Sequence, residues 1–416
     1  MRAFFALFLL MHGLAHTIGF LTPWGFAPRA ANGAPPPQMD ALFGGRIPLS
    51  VPMSKALGLL WLIVAVLFAV VALSWWRGVP GSGAALVALV IASLGLSIAW
   101  WPVARIGVFI NVALLLGLAG TGYRSFSADL AQARRAAVHQ SLMIMTALGP
   151  MEYATAGQGD PVLVIHGTGG GWDQGLYAAG ALAERGFHLI SPSRFGYLRT
   201  PMPADHSPAA EADAFAVLLD SLGIQRAAVI SFSAGAAPSL QFALRHPERV
   251  SALVLMVPAA GGISAPTAKG PPAFVMHVVL GSNLPMWLAL RYSPRTIAGI
   301  TAVPYALLDS LPPGAREHYQ RGTQMLLPIT ERRPGMLNDG RNQSGVEPLY
   351  PLEQLTVPTM LVSAEDDLYG TAAVARLAAT KIANAELLIV RNGGHFLLGH
   401  DAEIWPAVAS FIRAVR

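Results

Sequence analysis

Ser233 is the residue of this sequence whose neighbours best suit it to act as a catalytic nucleophile. It lies in the segment Ser231–Gly235 (SFSAG), after an apolar stretch that ends at Ile230 and before a helix-like stretch that begins at Ala236. Small residues on both sides of a serine let a strand and a helix approach closely around a sharp turn, as in the nucleophile elbow G-x-S-x-G. Ser231 replaces the first glycine and is also small, so we expect this turn to form.

A second segment, His166–Gly171 (HGTGGG), could stabilise negative charge on a substrate. Glycines let the backbone approach a ligand and point N–H groups at it. We expect the backbone N–H groups of Thr168 and Ala234 to form an oxyanion hole. A phosphate-binding loop would need a following Gly-Lys-Ser/Thr, which is missing here. We interpret His166 itself as a residue that holds the loop rather than as a catalyst.

Two later segments could supply the base and the acid that a serine nucleophile requires. A serine is a poor nucleophile at its own pKa and needs a base to remove its proton. His395 follows the apolar stretch 386–390, and both Asp366 and Asp367 follow the apolar stretch 359–362. In this arrangement the histidine accepts the proton, and the carboxylate fixes the imidazole tautomer and stabilises the imidazolium.

These segments require a fold that brings strand ends together. After residue 150, apolar strand-like stretches alternate with helix-like ones at about 175–185, 207–222 and 235–246, which predicts a doubly wound, mostly parallel α/β sheet. Ligands bind at the carboxyl ends of the strands in such sheets, so all four segments should converge there. The predicted strands are 161–165, 187–190, 227–230, 252–257, 359–362 and 386–390.

The alternation of strand-like and helix-like stretches stops between Gly261 and Pro351. This segment predicts a mostly helical lid over the site. Its large side chains either line a substrate pocket or form the core of the lid itself. They are Trp287, Tyr292, Tyr305, Tyr319, Met276, Met286 and Met325.

The region from about 150 to 416 resembles the α/β-hydrolase superfamily, in its branch of esterases, C–C hydrolases and cofactor-free haloperoxidases. The resemblance rests on Ser193–Tyr197 (SRFGY), on Thr200-Pro201, and on 243–250 (ALRHPERV) after the elbow. It implies acyl transfer through an acyl-enzyme, a lid that supplies the substrate pocket, and an acid three residues after a small residue. Ala364 takes that small place and points to Asp367, with Asp366 as the alternative.

The first 125 residues have a different composition from the rest. The chain is 53% hydrophobic and 12% charged, against about 25% charged residues in a typical soluble protein. A helix needs about 20 apolar residues to cross a bilayer. Four stretches meet or approach this length: 3–21, 57–76, 84–101 and 106–123. We therefore predict a transmembrane region over 1–124, a connecting helix over 125–149, and the hydrolase domain over 150–416, with its lid at about 261–351.

His12 and His16 lie one helical turn apart in the first predicted span. Ionisable residues inside a membrane are candidates for function. The pair could bind a metal or haem, or could form hydrogen bonds as neutral side chains inside the bundle.

These observations predict an integral, multi-pass membrane protein that hydrolyses an ester or related carbonyl of a small-molecule or lipid-like substrate. We expect no nucleic-acid partner, because the net charge of +5 is not gathered into a dense basic patch. We also expect no cofactor and no metal. Basic residues near the spans divide almost evenly between the two sides, with a slight bias toward a cytoplasmic hydrolase domain. The alternative is a non-catalytic, hydrolase-like domain that senses a ligand for the membrane bundle.

Overall fold

The computed structural model describes residues 2–29, 33, 35–36, 38–146, 148–260, 280–343 and 350–415. The chain divides into two compact units, Met1–Ser127 and Ala128–Arg416. Each unit has its own hydrophobic core.

The first unit is built on helices. Its elements are α1 (Arg2–Ala15), α2 (Thr17–Leu21), the short hairpin β1 (Ala41–Leu42) and β2 (Ile47–Pro48), α3 (Val51–Arg77), α4 (Ser82–Ala99) and the start of α5 (Arg105–His139). Among the described residues, four segments are long and apolar enough to cross a membrane: Arg2–Leu21, α3, α4 and α5.

Helix α3 shows how the local sequence determines where a helix begins and ends. The Ser50 side chain accepts a hydrogen bond from the Met53 N–H at the start of the helix, with a proline in the first turn, and Gly78 ends the helix at φ 71°. The helix therefore begins six residues before the predicted span 57–76. Phe68 is fully buried in the bundle, whereas Ile63 and Val66 are more than half exposed. The outer face of the helix is thus apolar.

The second unit contains an eight-stranded sheet in the order β10-β9-β8-β7-β5-β6-β4-β3. Only β4 runs against its neighbours, so the other strands are parallel to one another. The strands are β3 (Leu142–Thr146), β4 (Gly149–Ala156), β5 (Asp160–Ile165), β6 (Phe187–Pro192), β7 (Ala227–Phe232), β8 (Val250–Met256), β9 (Thr359–Ala364) and β10 (Glu386–Val390). The predicted mostly parallel sheet is confirmed.

The structure differs from the predicted connecting helix over 125–149. Helix α5 ends at His139, and β3 and β4 form an antiparallel hairpin in which Leu142 is opposite Tyr153. The run Leu142–Met145 is apolar without alternation, so its period alone does not distinguish helix from strand. Pairing with β4 decides the outcome, and Gly149 at φ 114° allows the turn.

Helices cover both faces of the sheet. On one face α7 (Pro208–Ser221), α8 (Ala236–Arg245) and α14 (Thr371–Lys381) pack on alternate strand residues such as Leu163 and Ile165. On the other face α6 (Trp172–Ala183) and α15 (Asp401–Ala414) pack on Val162 and Val164. The alternation of core residues within one strand shows that the sheet is buried on both sides.

The described part of the predicted lid, 280–343, lies between β8 and β9 and is helical. It contains α9 (Asn283–Tyr292), α10 (Pro294–Ile300), α11 (Tyr305–Ser310), α12 (Pro313–Gln324) and α13 (Arg333–Gln343). Residues 261–279, with Met276, and residues 344–349 lie outside the described residues.

Candidate active site

Ser233 stands at a strained turn between β7 and α8. It begins a short 3₁₀ turn, Ser233–Gly235, and has φ 50°. A positive φ is rare for a residue with a side chain and costs free energy, and such strain is concentrated at functional sites. The turn therefore has the backbone expected of a nucleophile elbow.

The small residues around Ser233 are required by close packing. A Cβ on Gly167 would lie 2.9 Å from the Cβ of Ser233, and a Cβ on Gly235 would lie 2.7 Å from the carbonyl oxygen of His166. Real Cβ atoms do not approach so closely, so a larger residue at either position would displace the turn or the loop beside it. Ser231, which replaces the first glycine of the motif, is fully buried.

His395 and Asp367 form a hydrogen-bonded pair beside this turn. The Nδ1 of His395 lies 2.8 Å from Oδ2 of Asp367. Asp367 also accepts hydrogen bonds from the Tyr369 N–H at 2.9 Å and from the Thr371 hydroxyl. Burial raises the pKa of the Asp367 carboxyl, but the hydrogen bond and charge of His395, with the other donors, outweigh it and hold the pKa below its usual range.

The second candidate acid, Asp366, has a different contact. Its Oδ1 accepts a hydrogen bond from the Gly394 N–H at 2.8 Å, and thus holds the loop that carries His395. Of the two carboxyls, Asp367 is the one in contact with the imidazole. With Nδ1 directed to Asp367, the Nε2 of His395 remains for proton transfer.

Ser233 and His395 line one cavity of about 310 Å³ in the second unit. Thr168, whose N–H is a predicted oxyanion donor, lines it too, and Ala234 follows Ser233 in the 3₁₀ turn. The described lid contributes mostly apolar side chains. They include Met286, Ile300, Leu326 and Met336.

The large aromatic residues of the lid pack away from this cavity. The Trp287 ring packs edge-on against Tyr292, and its Nε1 donates a hydrogen bond to Asp129 at 2.8 Å. The Tyr319 hydroxyl shares a hydrogen bond of 2.8 Å with Thr301, and its ring packs on Phe396. Trp287 and Tyr319 are therefore buried in the structural core of the lid, whereas Tyr292 is exposed at its surface, and other lid residues line the cavity.

His166 makes contacts typical of a structural residue. Its Nδ1 lies 2.8 Å from the Gly167 carbonyl oxygen, and its Nε2 accepts a hydrogen bond from the Arg194 N–H at 3.0 Å. Burial, with the nearby charges of Arg194 and Arg332, lowers the pKa of its imidazole well below 6.5. Both ring nitrogens are thus engaged and the ring is neutral.

A buried charged cluster next to the site was not predicted from the sequence. It consists of Arg194, Tyr197, Glu211 and Asp339, all at most 3% exposed. Arg194 bonds both carboxylates, at 3.0 Å to Glu211 and 2.8 Å to Asp339. Arg194 and Tyr197 belong to the motif SRFGY, but Glu211 and Asp339 lie in separate helices that are far apart in the sequence.

The first unit contains a second group of buried polar residues, the bundle polar cluster: His12, His16, Ser93, Ser97 and Asn111. The Nε2 of His12 lies 3.0 Å from Asn111 Oδ1, and the Nε2 of His16 lies 2.6 Å from the Ser93 hydroxyl. The Nδ1 of His16 bonds the His12 carbonyl oxygen at 2.8 Å. Of the two interpretations of this histidine pair, these contacts favour the one in which they form hydrogen bonds inside the bundle.

Comparison with known proteins adds to this geometry. Residues 160–303 match the family model of the alpha/beta hydrolase fold. The chain is 28% identical over 250 residues to 2-hydroxymuconate semialdehyde hydrolase of Pseudomonas putida, which covers 59% of this chain and 84% of that protein. It is 33% identical over 120 residues to 2-hydroxy-6-oxo-6-phenylhexa-2,4-dienoate hydrolase of Comamonas testosteroni, covering 28% of this chain and 41% of that protein.

Solved structures agree with the sequence relatives. The alpha/beta hydrolase fold protein from Nakamurella multipartita superposes with a TM-score of 0.57 at 28% identity, covering 66% of this chain and 99% of the other. An esterase (EaEST) from Exiguobacterium antarcticum shares the fold with a TM-score of 0.50 at 18% identity, covering 66% and 100%. The C-terminal part of the chain therefore has the α/β-hydrolase fold, and the family model and the relatives support its place in the α/β-hydrolase superfamily.

Proposed function

We propose that this protein is a membrane-anchored serine hydrolase that cleaves an ester or related carbonyl substrate through Ser233, His395 and Asp367. One observation carries the proposal: the strained Ser233 shares a cavity with His395, and Nδ1 of that imidazole is hydrogen-bonded to Asp367. These are the parts that acyl transfer by a serine requires.

The chemistry follows from these positions. His395 Nε2 accepts the Ser233 proton while Oγ bonds to the carbonyl carbon, and the N–H groups of Thr168 and Ala234 hold the resulting oxyanion. The bond from the carbonyl carbon to the leaving oxygen then breaks, and His395 gives the proton to that oxygen, which departs as the alcohol. A water molecule then attacks the acyl-enzyme while His395 accepts its proton. The bond from the carbonyl carbon to Oγ breaks, His395 returns the proton to Oγ, and the acid is released.

The cavity walls favour a substrate with an apolar acyl group. Met286, Ile300, Leu326 and Met336 line the cavity from the lid, and Phe232 and Met256 line it from the sheet. Burial of methyl and methylene groups against such walls stabilises the complex by about 0.8 kcal/mol per CH₂. A small-molecule or lipid-like ester satisfies this requirement.

Membrane anchoring is supported by the first unit. Its four long apolar segments have outer faces of exposed aliphatic residues, which lipid would cover. With four spans the N-terminus and the hydrolase domain lie on the same side, and the slight excess of basic residues there favours the cytoplasm.

Cleavage of a carbon–carbon bond is a second candidate activity. It is favoured by the similarity to two proteins named as hydrolases of 2-hydroxymuconate semialdehyde and of 2-hydroxy-6-oxo-6-phenylhexa-2,4-dienoate. The two activities are separated by offering purified protein both p-nitrophenyl esters and a 2-hydroxy-6-oxo-dienoate.

Replacement of the nucleophile tests the proposal. In membranes that contain the full chain, we expect Ser233→Ala to abolish fluorophosphonate labelling and to lower p-nitrophenyl butyrate hydrolysis by at least about 10⁴-fold, because the nucleophile is lost. Labelling is read on a gel and hydrolysis from the absorbance of p-nitrophenolate.

The matched control is Ser221→Ala, which removes another serine hydroxyl, one that bonds only the Val217 carbonyl oxygen of its own helix. This variant should keep both labelling and turnover. Labelling of Ser233→Ala at the level of the native protein would reject Ser233 as nucleophile. A well-folded native protein that neither labels nor turns over either substrate would favour the ligand-sensing alternative.

A further inference from the structure

The loop that carries the predicted oxyanion donor is rich in glycine. This oxyanion loop, His166–Gly171, contains four glycines, and Gly169 has φ 78°. Such a loop has many accessible backbone conformations. An oxyanion hole is effective only when its donors are held in place before the reaction. Something outside the loop must therefore fix it.

Asp339, in lid helix α13, bonds the oxyanion loop directly. The Thr168 hydroxyl donates to Oδ2 of Asp339 at 2.9 Å. The same oxygen accepts from the Tyr197 hydroxyl at 2.5 Å and from Nη1 of Arg194 at 3.1 Å. Asp339 is 2% exposed, so this acceptor is fixed from several sides before it meets Thr168.

The charged cluster also bonds the start of the loop. Arg194 donates its N–H to Nε2 of His166 and its guanidinium to Asp339. The guanidinium also bonds Glu211 in α7, which ties the cluster to the sheet. The loop is thus bonded at both His166 and Thr168 by groups that are bonded to each other.

A second lid residue bonds the end of the loop. Arg332, fully buried, donates to the Gly170 carbonyl oxygen at 2.7 Å and pairs with Asp173 at 2.6 Å. Two side chains of the described lid, Asp339 and Arg332, therefore hydrogen-bond the oxyanion loop. Of these, Asp339 bonds the residue whose own N–H is the predicted donor.

We propose that Asp339 is a positioning residue: through the Thr168 hydroxyl it holds the backbone of the oxyanion loop so that the Thr168 N–H faces the developing oxyanion. The inference rests on the proposed serine-hydrolase function. It assigns the lid a role in transition-state stabilisation, besides forming the walls of the substrate cavity.

Thr168→Val tests this most directly, because it removes the hydroxyl but keeps the β-branched shape and the backbone N–H. We expect kcat per active site, counted by fluorophosphonate titration, to fall about tenfold while KM changes less than about twofold. The loss is smaller than the 10²–10³ of a deleted donor because the donor is displaced rather than removed. The Ki of phenylboronic acid, which forms a tetrahedral adduct with serine, should rise about tenfold.

Three further variants sharpen the test. Thr168→Ser keeps the hydroxyl and should retain kcat within about twofold. Asp339→Asn should lower kcat in the same direction, and Thr168→Val should have little additional effect in the Asp339→Asn background, because the two groups act through one contact. Thr323→Val is the matched control, since its hydroxyl bonds only carbonyl oxygens of its own helix, and it should leave kcat unchanged.

The outcomes separate the two proposals. If Ser233→Ala abolishes turnover but Thr168→Val has the native kcat and the native Ki for phenylboronic acid, the positioning role of Asp339 is rejected while the serine mechanism stands. A change in KM alone would assign Thr168 to substrate binding and also overturn the inference. Turnover that persists in Ser233→Ala overturns the proposed function itself.

Discussion

The two units of this protein bury polar side chains in different ways. The bundle polar cluster consists of imidazoles, hydroxyls and an amide, and no Asp, Glu, Lys or Arg is buried among the described residues of the first unit. The charged cluster of the second unit places two carboxylates on one guanidinium, with the Tyr197 hydroxyl and the Phe195 N–H as further donors.

The difference reflects the surroundings available to each cluster. Burial of a charge costs several kcal/mol unless an opposite charge and hydrogen-bond donors surround it. The sheet domain provides these from a loop, a core helix and a lid helix. A bundle of apolar helices has few such donors, since their backbone groups are already paired, and it stabilises itself through neutral hydrogen bonds.

Removal of the Arg194 guanidinium, which both carboxylates share, should have the largest effect on stability of the changes considered for the two clusters. Arg194→Met would leave Glu211 and Asp339 as two buried carboxylates without their counter-charge, and burial already raises the pKa of Glu211. We expect the free energy of unfolding of the C-terminal domain to fall by about 3–5 kcal/mol. Pulse proteolysis in urea on the detergent-solubilised full chain measures it.

The control is Arg245→Met, because that guanidinium pairs with Asp213 at the surface. It should change the same free energy by less than about 1 kcal/mol. Equal losses for the two arginine variants would contradict the view that burial sets the value of the Arg194 contacts.

A pH titration sharpens the description of the charged cluster. His166 is buried beside Arg194 and Arg332, which keep its pKa well below 6.5 in the folded protein. The unfolded chain binds a proton near pH 6.5, so this residue lowers stability as the pH falls from 6.5 toward the folded pKa. The slope is at most about 1.4 kcal/mol per pH unit.

His166→Gln should remove that slope, since glutamine does not titrate. Urea unfolding at pH 7.5, 6.5 and 5.5 measures this effect: the difference in free energy of unfolding between native protein and variant should shrink as the pH falls. Above pH 7.5 the free energies of unfolding of the two proteins should change with pH in the same way. If the native protein stays more stable than the variant by the same free energy down to pH 5.5, His166 is already protonated or exposed in the folded protein.

The smallest effect is expected in the bundle. Asn111 bonds His12 and Ser93, and Asn111→Leu replaces these neutral bonds with an apolar side chain of similar size. Such bonds contribute about 0.6 kcal/mol on average between membrane helices. Unfolding of the first unit in mixed micelles with increasing dodecyl sulfate measures the change.

Val112→Leu, on the more exposed face of the same helix, serves as the reference for that experiment. A loss for Asn111→Leu as large as that for Arg194→Met would erase the distinction between the two clusters. It would mean that the neutral network is as tightly coupled as the charged one.

Much of the site could be read from the sequence because its chemistry follows strand ends. Ser233, His395 and the Asp366-Asp367 pair each lie within five residues of the end of an apolar run, and a parallel sheet brings such ends to one edge. The choice of Asp367 over Asp366 required the resemblance to a family, since both carboxyls have the same local sequence signal.

The remaining features depend on long-range contacts. Asp339 lies 171 residues from Thr168 in the chain, and nothing in its neighbourhood distinguishes it from a solvent-exposed aspartate on a helix. Strand β3 lies inside the segment 125–149 that was predicted as helix, and its unbroken apolar run fits either structure. In both cases the structure depends on a residue or strand that is distant in the sequence, and the local sequence pattern does not identify that partner.

The left-handed backbone at Ser233 has a consequence for how this position is occupied. Glycine adopts that conformation freely, whereas serine does so at a cost of the order of 1 kcal/mol or more. If backbone strain alone decided the residue at this position, it would be glycine. If Ser233 is the nucleophile that we propose, the domain gives up some folding stability so that one hydroxyl oxygen faces the cavity.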